Sequence, residues 1–177
     1  LKRVLARAAK LGFTPMCGLE FEWFNFIETP QSWAEKKGVD PTPLTPGMFG
    51  YSLLRPNGEP RFLQRADGGA RAFGIPIEGL HTETGPGVYE AALVYSEALE
   101  AADRGLLFKG GGEGDRARFG IMPSFMAKWN QQLPGCSGHV HQSLSGRPAK
   151  NVFHDAKRAP RDEQACSRAI SPGRSTR

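Results

Sequence analysis

The stretch from Cys17 to Ile27 reads Cys-Gly-Leu-Glu-Phe-Glu-Trp-Phe-Asn-Phe-Ile, and few folds can accommodate it. So dense a run of aromatic side chains favours a strand over a helix. Alternate side chains of a strand point to opposite faces. Leu19, Phe21 and Trp23 therefore share one face, and Glu20 and Glu22 share the other, followed by Phe24 and Phe26. Two carboxylates side by side repel one another and raise one pKa unless a cation neutralises them.

The rest of the chain supplies partners for such a strand. Leu1, Val4, Leu5, Ala8 and Leu11 recur at helical spacing, with Lys2, Arg3, Arg7 and Lys10 mostly opposite, so an amphipathic helix is predicted over 2–11 and ended by Gly12. A Pro- and Gly-punctuated excursion follows from Thr29 to Gly50, with one helical turn near Ser32–Lys37. Phe62, Leu63, Ala66, Ala70 and Phe73 hint at a helix that Gly68-Gly69 weakens. Further strands are expected over 75–83, 88–94, 119–128 and 137–144. Gly85-Pro86-Gly87 turns the chain between the first two of these. A helix capped by Ser96 is expected to run over 96–109 and to stop at Gly110-Gly111-Gly112.

Charge and cysteines exclude several classes. Of the net charge of +5, residues 156–177 carry +4, and the remaining 155 residues hold 17 basic and 16 acidic side chains. A body so close to neutral argues against nucleic acid as a partner. No stretch approaches the roughly 18 apolar residues of a membrane span. Cys17, Cys136 and Cys166 are too scattered for a disulfide framework or a zinc site, which fits a cytoplasmic setting.

The acids and histidines recur in pairs. His81 and Glu83 repeat the spacing of Glu20 and Glu22, Glu90 follows across the Gly-Pro-Gly turn, and His139 and His141 share one strand face. Each pair alone is commonly a solvated face. Jointly they suit Mg²⁺ or Mn²⁺, hard cations that favour carboxylate oxygens with an occasional imidazole.

Four ordered motifs resemble the glutamine synthetases. Gly18-Leu19-Glu20-Phe21-Glu22-Trp23-Phe24 is similar to their G-x-E-x-E-F segment, and His81 to Glu90 (HTETGPGVYE) to their H-x-E-x-x-P-G-Q-x-E. Phe119 to Lys128 (FGIMPSFMAK) and Gly135 to Leu144 (GCSGHVHQSL) resemble the H-G-x-x-A-T-F-M-P-K and G-S-G-x-H-x-H-x-S-L segments. The wording ETGPGVYEAAL is similar to the type I, glutamine-synthetase-like branch that includes lengsin.

The resemblance implies an α+β fold. A curved, mostly antiparallel sheet carries the acids on its concave face, with helices 2–11 and 96–109 behind, and residues 1–155 make only part of the family's catalytic domain. It implies that Glu22, Glu83 and Glu90 bind one divalent ion and that Glu20 and His139 bind a second. It places His141, Ser143 and Tyr95 around ATP and the Gly135 backbone near the amino-acid substrate. The implied activity is ATP-dependent ligation of glutamate to ammonia or another amine through an acyl phosphate. Val88 and Pro134 replace the pattern's Gln and Asn, which leaves the amine open. The family's ring homo-oligomer, its N-terminal β-grasp domain and the arginines of its later half have no counterpart motif in 1–155. A basic tail over 156–177, unlike the family from Arg158 onward, is expected to be disordered or non-native. The chain by itself is then expected to be inactive, or a non-catalytic relative that keeps only the fold.

Overall fold

The computed structural model describes residues 1–47, 50–51, 68–117, 120–146 and 150–153. The aromatic stretch forms β1 (Thr14–Ile27), longer at its start than expected. Around it lie β2 (Ile77–Thr82), β3 (Val88–Leu93), β4 (Ser96–Glu97), β5 (Ile121–Ser124), β6 (Gly138–Gly146) and β7 (Lys150–Asn151). All pairings are antiparallel, in the order β2-β3-β1-β6-β7, with β4 and β5 also on β1. One edge of β1 pairs with β4 and then β3, the other with β6 and then β5. Every other strand is therefore placed, directly or through one neighbour, by β1.

The predicted alternation of β1 holds. Trp23 joins Tyr89, Ala91, Leu93, Phe108 and Ile121 in one buried cluster, with Leu19, Phe21 and Phe125 packed against it. Phe24 and Phe26 form a second cluster with Val88, Met122, Trp129 and Cys136 at the far end of the acidic face. Val88, which departs from the family pattern, is thus a core side chain. Edge-to-face contacts of Trp23 with Phe108 and of Phe21 with Phe125 fit the quadrupoles of the rings.

Among the described residues, the helices with both ends described are α1 (Lys2–Lys10), α2 (Pro30–Glu35) and α3 (Ala98–Ala117). The expected stop of the last helix at the glycine triplet is overturned, since α3 continues through Gly110, Gly111 and Gly112. Packing decides this. Ala98, Ala101 and Phe108 bury one stripe of α3. Gly105 on that stripe lies so close to β1 that an added Cβ would come 2.7 Å from Leu19 Cδ1, and the Phe73 ring lies against Gly111. A helix held by tertiary contacts tolerates glycines that cost roughly 1 kcal/mol each.

Ser96 is not the N-cap of α3. It lies in β4, paired with Cys17, and its buried Oγ has no hydrogen-bond partner among the described residues. The expected strand over 119–128 shrinks to β5, because beyond Phe24 that edge of β1 is taken by the hydrogen bond that the Glu22 amide donates to the Ser137 carbonyl and then by β6. Helix α1 forms as predicted, but no residue of it is buried, and Val4 and Leu11 are 64% and 74% exposed. The expected helix around 62–73 lies mostly outside the described residues, which show helix at 68–72. The tail from residue 154 and Phe119 also lie outside them.

The excursion after β1 is pinned by Glu28. Thr29 and Ser32 form a capping box at α2, with Pro30 in its first turn. Ser32 Oγ, Lys36 Nζ and the Thr42 amide all donate to the buried Glu28 carboxylate. The Lys36 hydrogen bond, then those from Ser32 and Thr42, hold the Glu28 pKa at about 2, against 4.5 ordinarily. A depressed carboxyl pKa stabilises the fold above the ordinary value, and that contribution is lost as pH falls toward the folded value. Urea titrations of wild type and Glu28→Gln should therefore differ most above pH 4.5 and converge as pH falls to about 2. Among the described residues, nothing lies within 4 Å of a Cβ added at Gly110. Gly110→Ala should stabilise the chain by up to about 1 kcal/mol in thermal unfolding.

Candidate functional site

Sheet register brings the acidic face of β1 against its neighbours. Glu22 stands directly opposite Glu90 of β3, and Glu90 in turn opposite His81 of β2. Glu20 stands opposite His139 of β6, and Gly18 opposite His141. Directly opposed residues on one face have Cβ atoms roughly 5 Å apart, and like charges so placed are destabilising.

Two groups of donors form there. Glu20, Glu90 and His139 bring one donor atom each within 4.8 Å of one another, and so do His81, Glu83 and Glu90. Glu90 is common to both. His139 Nδ1 is 3.0 Å from Glu20 Oε2, and His141 Nε2 is 2.9 Å from Glu20 Oε1, so two imidazoles flank one carboxylate. His81 Nε2 lies 3.6 Å from Glu90 Oε2, and its Nδ1 lies 4.0 Å from Glu83 Oε1. Glu22 is engaged elsewhere: the Ser137 amide and hydroxyl donate to its two oxygens, at 3.1 and 2.6 Å.

The carboxylates titrate apart. Burial pushes Glu90 above the usual range, against the charge of His81, and the charges of Glu20, Glu83 and Glu22 push it further. Burial also pushes Glu83 up, but hydrogen bonds from Tyr51, the Thr84 amide and Glu90, with the charge of His81, outweigh it and hold Glu83 below the usual range. The hydrogen bond to Glu83, with its charge, raises the Tyr51 pKa, and the Tyr51 ring stacks on His81. Burial, then the charges of Glu22 and Glu83, push the Cys136 thiol up to about 12, which leaves it a protonated thiol at ordinary pH.

A cleft of about 500 Å³ adjoins the first group. Glu20 lines it together with Tyr95, His141 and Ser143, so the three side chains that the resemblance assigns to ATP share one cavity that reaches a carboxylate of the donor cluster. Gly135 lies apart from the residues lining this cleft, on the exposed loop before β6, where an added Cβ would come 2.5 Å from the Ala127 carbonyl. The sequence places His81 in the acid–imidazole pattern and at the head of a family motif but gives it no ligand role; the register of β2 on β3 is what sets it beside Glu90. Tyr51 and Ser137 carried no signal, since their roles come from contacts with residues 30 or more positions away.

The chain matches the family described as the glutamine synthetase catalytic domain over residues 1–171. It is 48% identical over 156 residues to type-1 glutamine synthetase 2 of Dictyostelium discoideum, covering 88% of this chain and 30% of that protein. It is 31% identical to the glutamate–isopropylamine ligase of a Pseudomonas species, over 86% of this chain and 33% of that one. The solved structure of ligand-free GmaS superposes with a TM-score of 0.74 at 25% identity, covering 87% of this chain and 35% of that one. The chain thus spans about a third of the length of these relatives.

Glu90 carries a buried carboxyl facing three other acids. In chelator, Glu90→Gln should stabilise the chain by up to about 1 kcal/mol, a rise in Tm of roughly 2–4 °C at this length, read by differential scanning calorimetry.

Proposed function

The chain belongs to the glutamine synthetase catalytic-domain family, and from that premise we propose that it carries the metal- and nucleotide-binding part of an ATP-dependent carboxylate–amine ligase. The observation that supports this most is the convergence of Glu20, Glu83, Glu90, His81 and His139 into two adjoining donor groups. Their chemistry fits a hard divalent ion. The set is rich in carboxylate oxygen, contains neutralisable imidazoles, and opposes Glu22 to Glu90 in a way that a cation relieves.

In this reading Glu20 and His139 hold one Mg²⁺ or Mn²⁺, with Glu90 within reach. Glu83 and Glu90 hold the second, joined by Glu22, which keeps free lone pairs beside its bonds to Ser137. When bound, such ions supply electrostatic stabilisation for phosphoryl transfer. The cleft residues Tyr95, His141 and Ser143 take the nucleotide, and the Gly135 backbone faces the amino-acid substrate. The γ-carboxylate of glutamate attacks the terminal phosphorus of ATP and releases ADP. The amine then displaces phosphate to leave the amide. The amine is ammonia or a larger amine, as in the Pseudomonas relative whose name specifies isopropylamine. The reaction belongs to the complete cytoplasmic enzyme, and residues 1–155 are its partial catalytic domain, with a separate basic tail over 156–177. Ring assembly, like catalysis, belongs to that longer enzyme.

Isothermal titration of the 177-residue chain with Mn²⁺ tests this reading. Binding is expected, and Glu83→Ala should weaken it by at least about tenfold. Wild-type protein that takes up no Mn²⁺ favours the alternative, a relative that keeps the fold without the chemistry. Phosphate release from ATP and glutamate should stay at background, and robust release would overturn the expectation that this chain is inactive alone.

A further inference from the structure

Glu83 and Glu90 flank a turn; the β2–β3 ladder fixes Glu90 opposite His81, but Glu83 lies beyond the last ladder pair, Thr82 and Tyr89, so its distance from Glu90 depends on the turn as well. The turn's own sequence makes it soft. Gly85 has φ +120° and Gly87 φ +73°, regions that glycine enters freely and leaves as freely. The internal bonds are few: the Glu83 amide donates to the Val88 carbonyl at 3.0 Å, and the Val88 amide to the Gly85 carbonyl at 3.4 Å.

The rigidity comes from outside the turn. The Gly87 carbonyl accepts from the Asn25 amide at 2.8 Å and from Asn25 Nδ2 at 3.0 Å. The Gly87 amide donates to Thr45 Oγ1 at 3.0 Å. Asn25 is fully buried, Thr45 nearly so. Asn25 is also tied on its other sides: its Oδ1 accepts from Trp23 Nε1 at 2.8 Å, and its carbonyl accepts from the Leu44 amide at 2.8 Å. The fit is tight enough that a Cβ on Gly87 would collide with the Asn25 carbonyl.

A buried side-chain amide on the core-facing row of β1 is costly unless every polar atom is satisfied. Here an indole, which can only donate, and a carbonyl, which can only accept, leave one orientation for it. We infer that Asn25 and Thr45 form a buried clamp on the Gly87 peptide groups that sets the spacing of Glu83 and Glu90, and are positioning residues for the metal-binding group. The inference rests on the metal-binding reading above, and deepens it by naming the residues that hold the ligand pair in place.

Asn25→Asp sets a carboxylate oxygen against the Gly87 carbonyl, and Thr45→Val leaves the Gly87 amide without an acceptor, whereas Thr45→Ser keeps the hydroxyl. Ala101→Gly, in the buried stripe of α3 and outside the contacts of Asn25, Thr45 and Trp23 described above, serves as a stability control. Mn²⁺ affinity by isothermal titration and Gly87 amide exchange by NMR are measured on the 177-residue chain. In Asn25→Asp and Thr45→Val, affinity should fall by about 10–100-fold, and Gly87 exchange should quicken by at least about tenfold. Thr45→Ser and Ala101→Gly should stay within about threefold of wild-type affinity, although Ala101→Gly lowers Tm. Should Asn25→Asp fail to fold, the contrast between Thr45→Val and Thr45→Ser decides. Wild-type affinity in Thr45→Val, or an equal loss in Ala101→Gly, overturns the inference. A wild-type chain that binds no Mn²⁺ overturns the metal reading and the positioning role together. Faster Gly87 exchange in the variants would then identify the clamp as a device of the fold alone.

Discussion

The packing of Phe21 and Trp23 against Phe108 of α3 is the contact on which the remaining structure depends. It buries one face of β1, and because a strand alternates strictly, it commits Glu20 and Glu22 to the other face. A one-residue slip would bury the carboxylates and expose the rings, so the hydrophobic term and the cost of burying charge enforce the same register. Gly105 belongs to this contact, since it lets α3 lie directly on Leu19 and Phe21.

Against that fixed row, the neighbouring strands bring the rest of the site by register alone. Glu90 faces Glu22, His81 faces Glu90, and His139 faces Glu20. The outcome is an electrostatic tension. Glu90 is pushed toward protonation while Glu83, hydrogen-bonded by Tyr51 and the Thr84 amide, is held ionised. Ser137 quiets Glu22 by donating to both its oxygens. The acidic face is thus balanced by imidazoles and local donors, in a geometry that a divalent cation can take over.

Several features were legible because they rest on period and residue type. The strands β1, β2, β3 and β6 follow from alternation and β-branched or aromatic content, and α1 follows from its 3.6-residue stripe. The pairs Glu20/Glu22, His81/Glu83 and His139/His141 announced a common face. Other features were not legible. The glycine triplet reads as a helix stop, yet α3 runs through it because its buried stripe is held by the sheet. Ser96 reads as a cap, yet it pairs with Cys17 as a strand residue. The apolar stripe of α1 reads as core, yet none of it is fully buried: Leu5 and Ala8 are half-buried, and Val4 and Leu11 are exposed.

By itself, then, the sequence determined which residues share a face and which chemistry that face can support, since both depend on local alternation and on the ionisable groups themselves. Only the tertiary structure decided which acids meet. Cross-strand register grouped Glu90 with both Glu20 and Glu83, brought His81 into that group, and turned Glu22 toward Ser137. It also decided what holds the Gly85-Pro86-Gly87 turn in place. Asn25 and Thr45 are 62 and 42 residues from Gly87 in the chain. Contacts across such separations leave no periodic trace, because they are made by the packing of elements rather than within one.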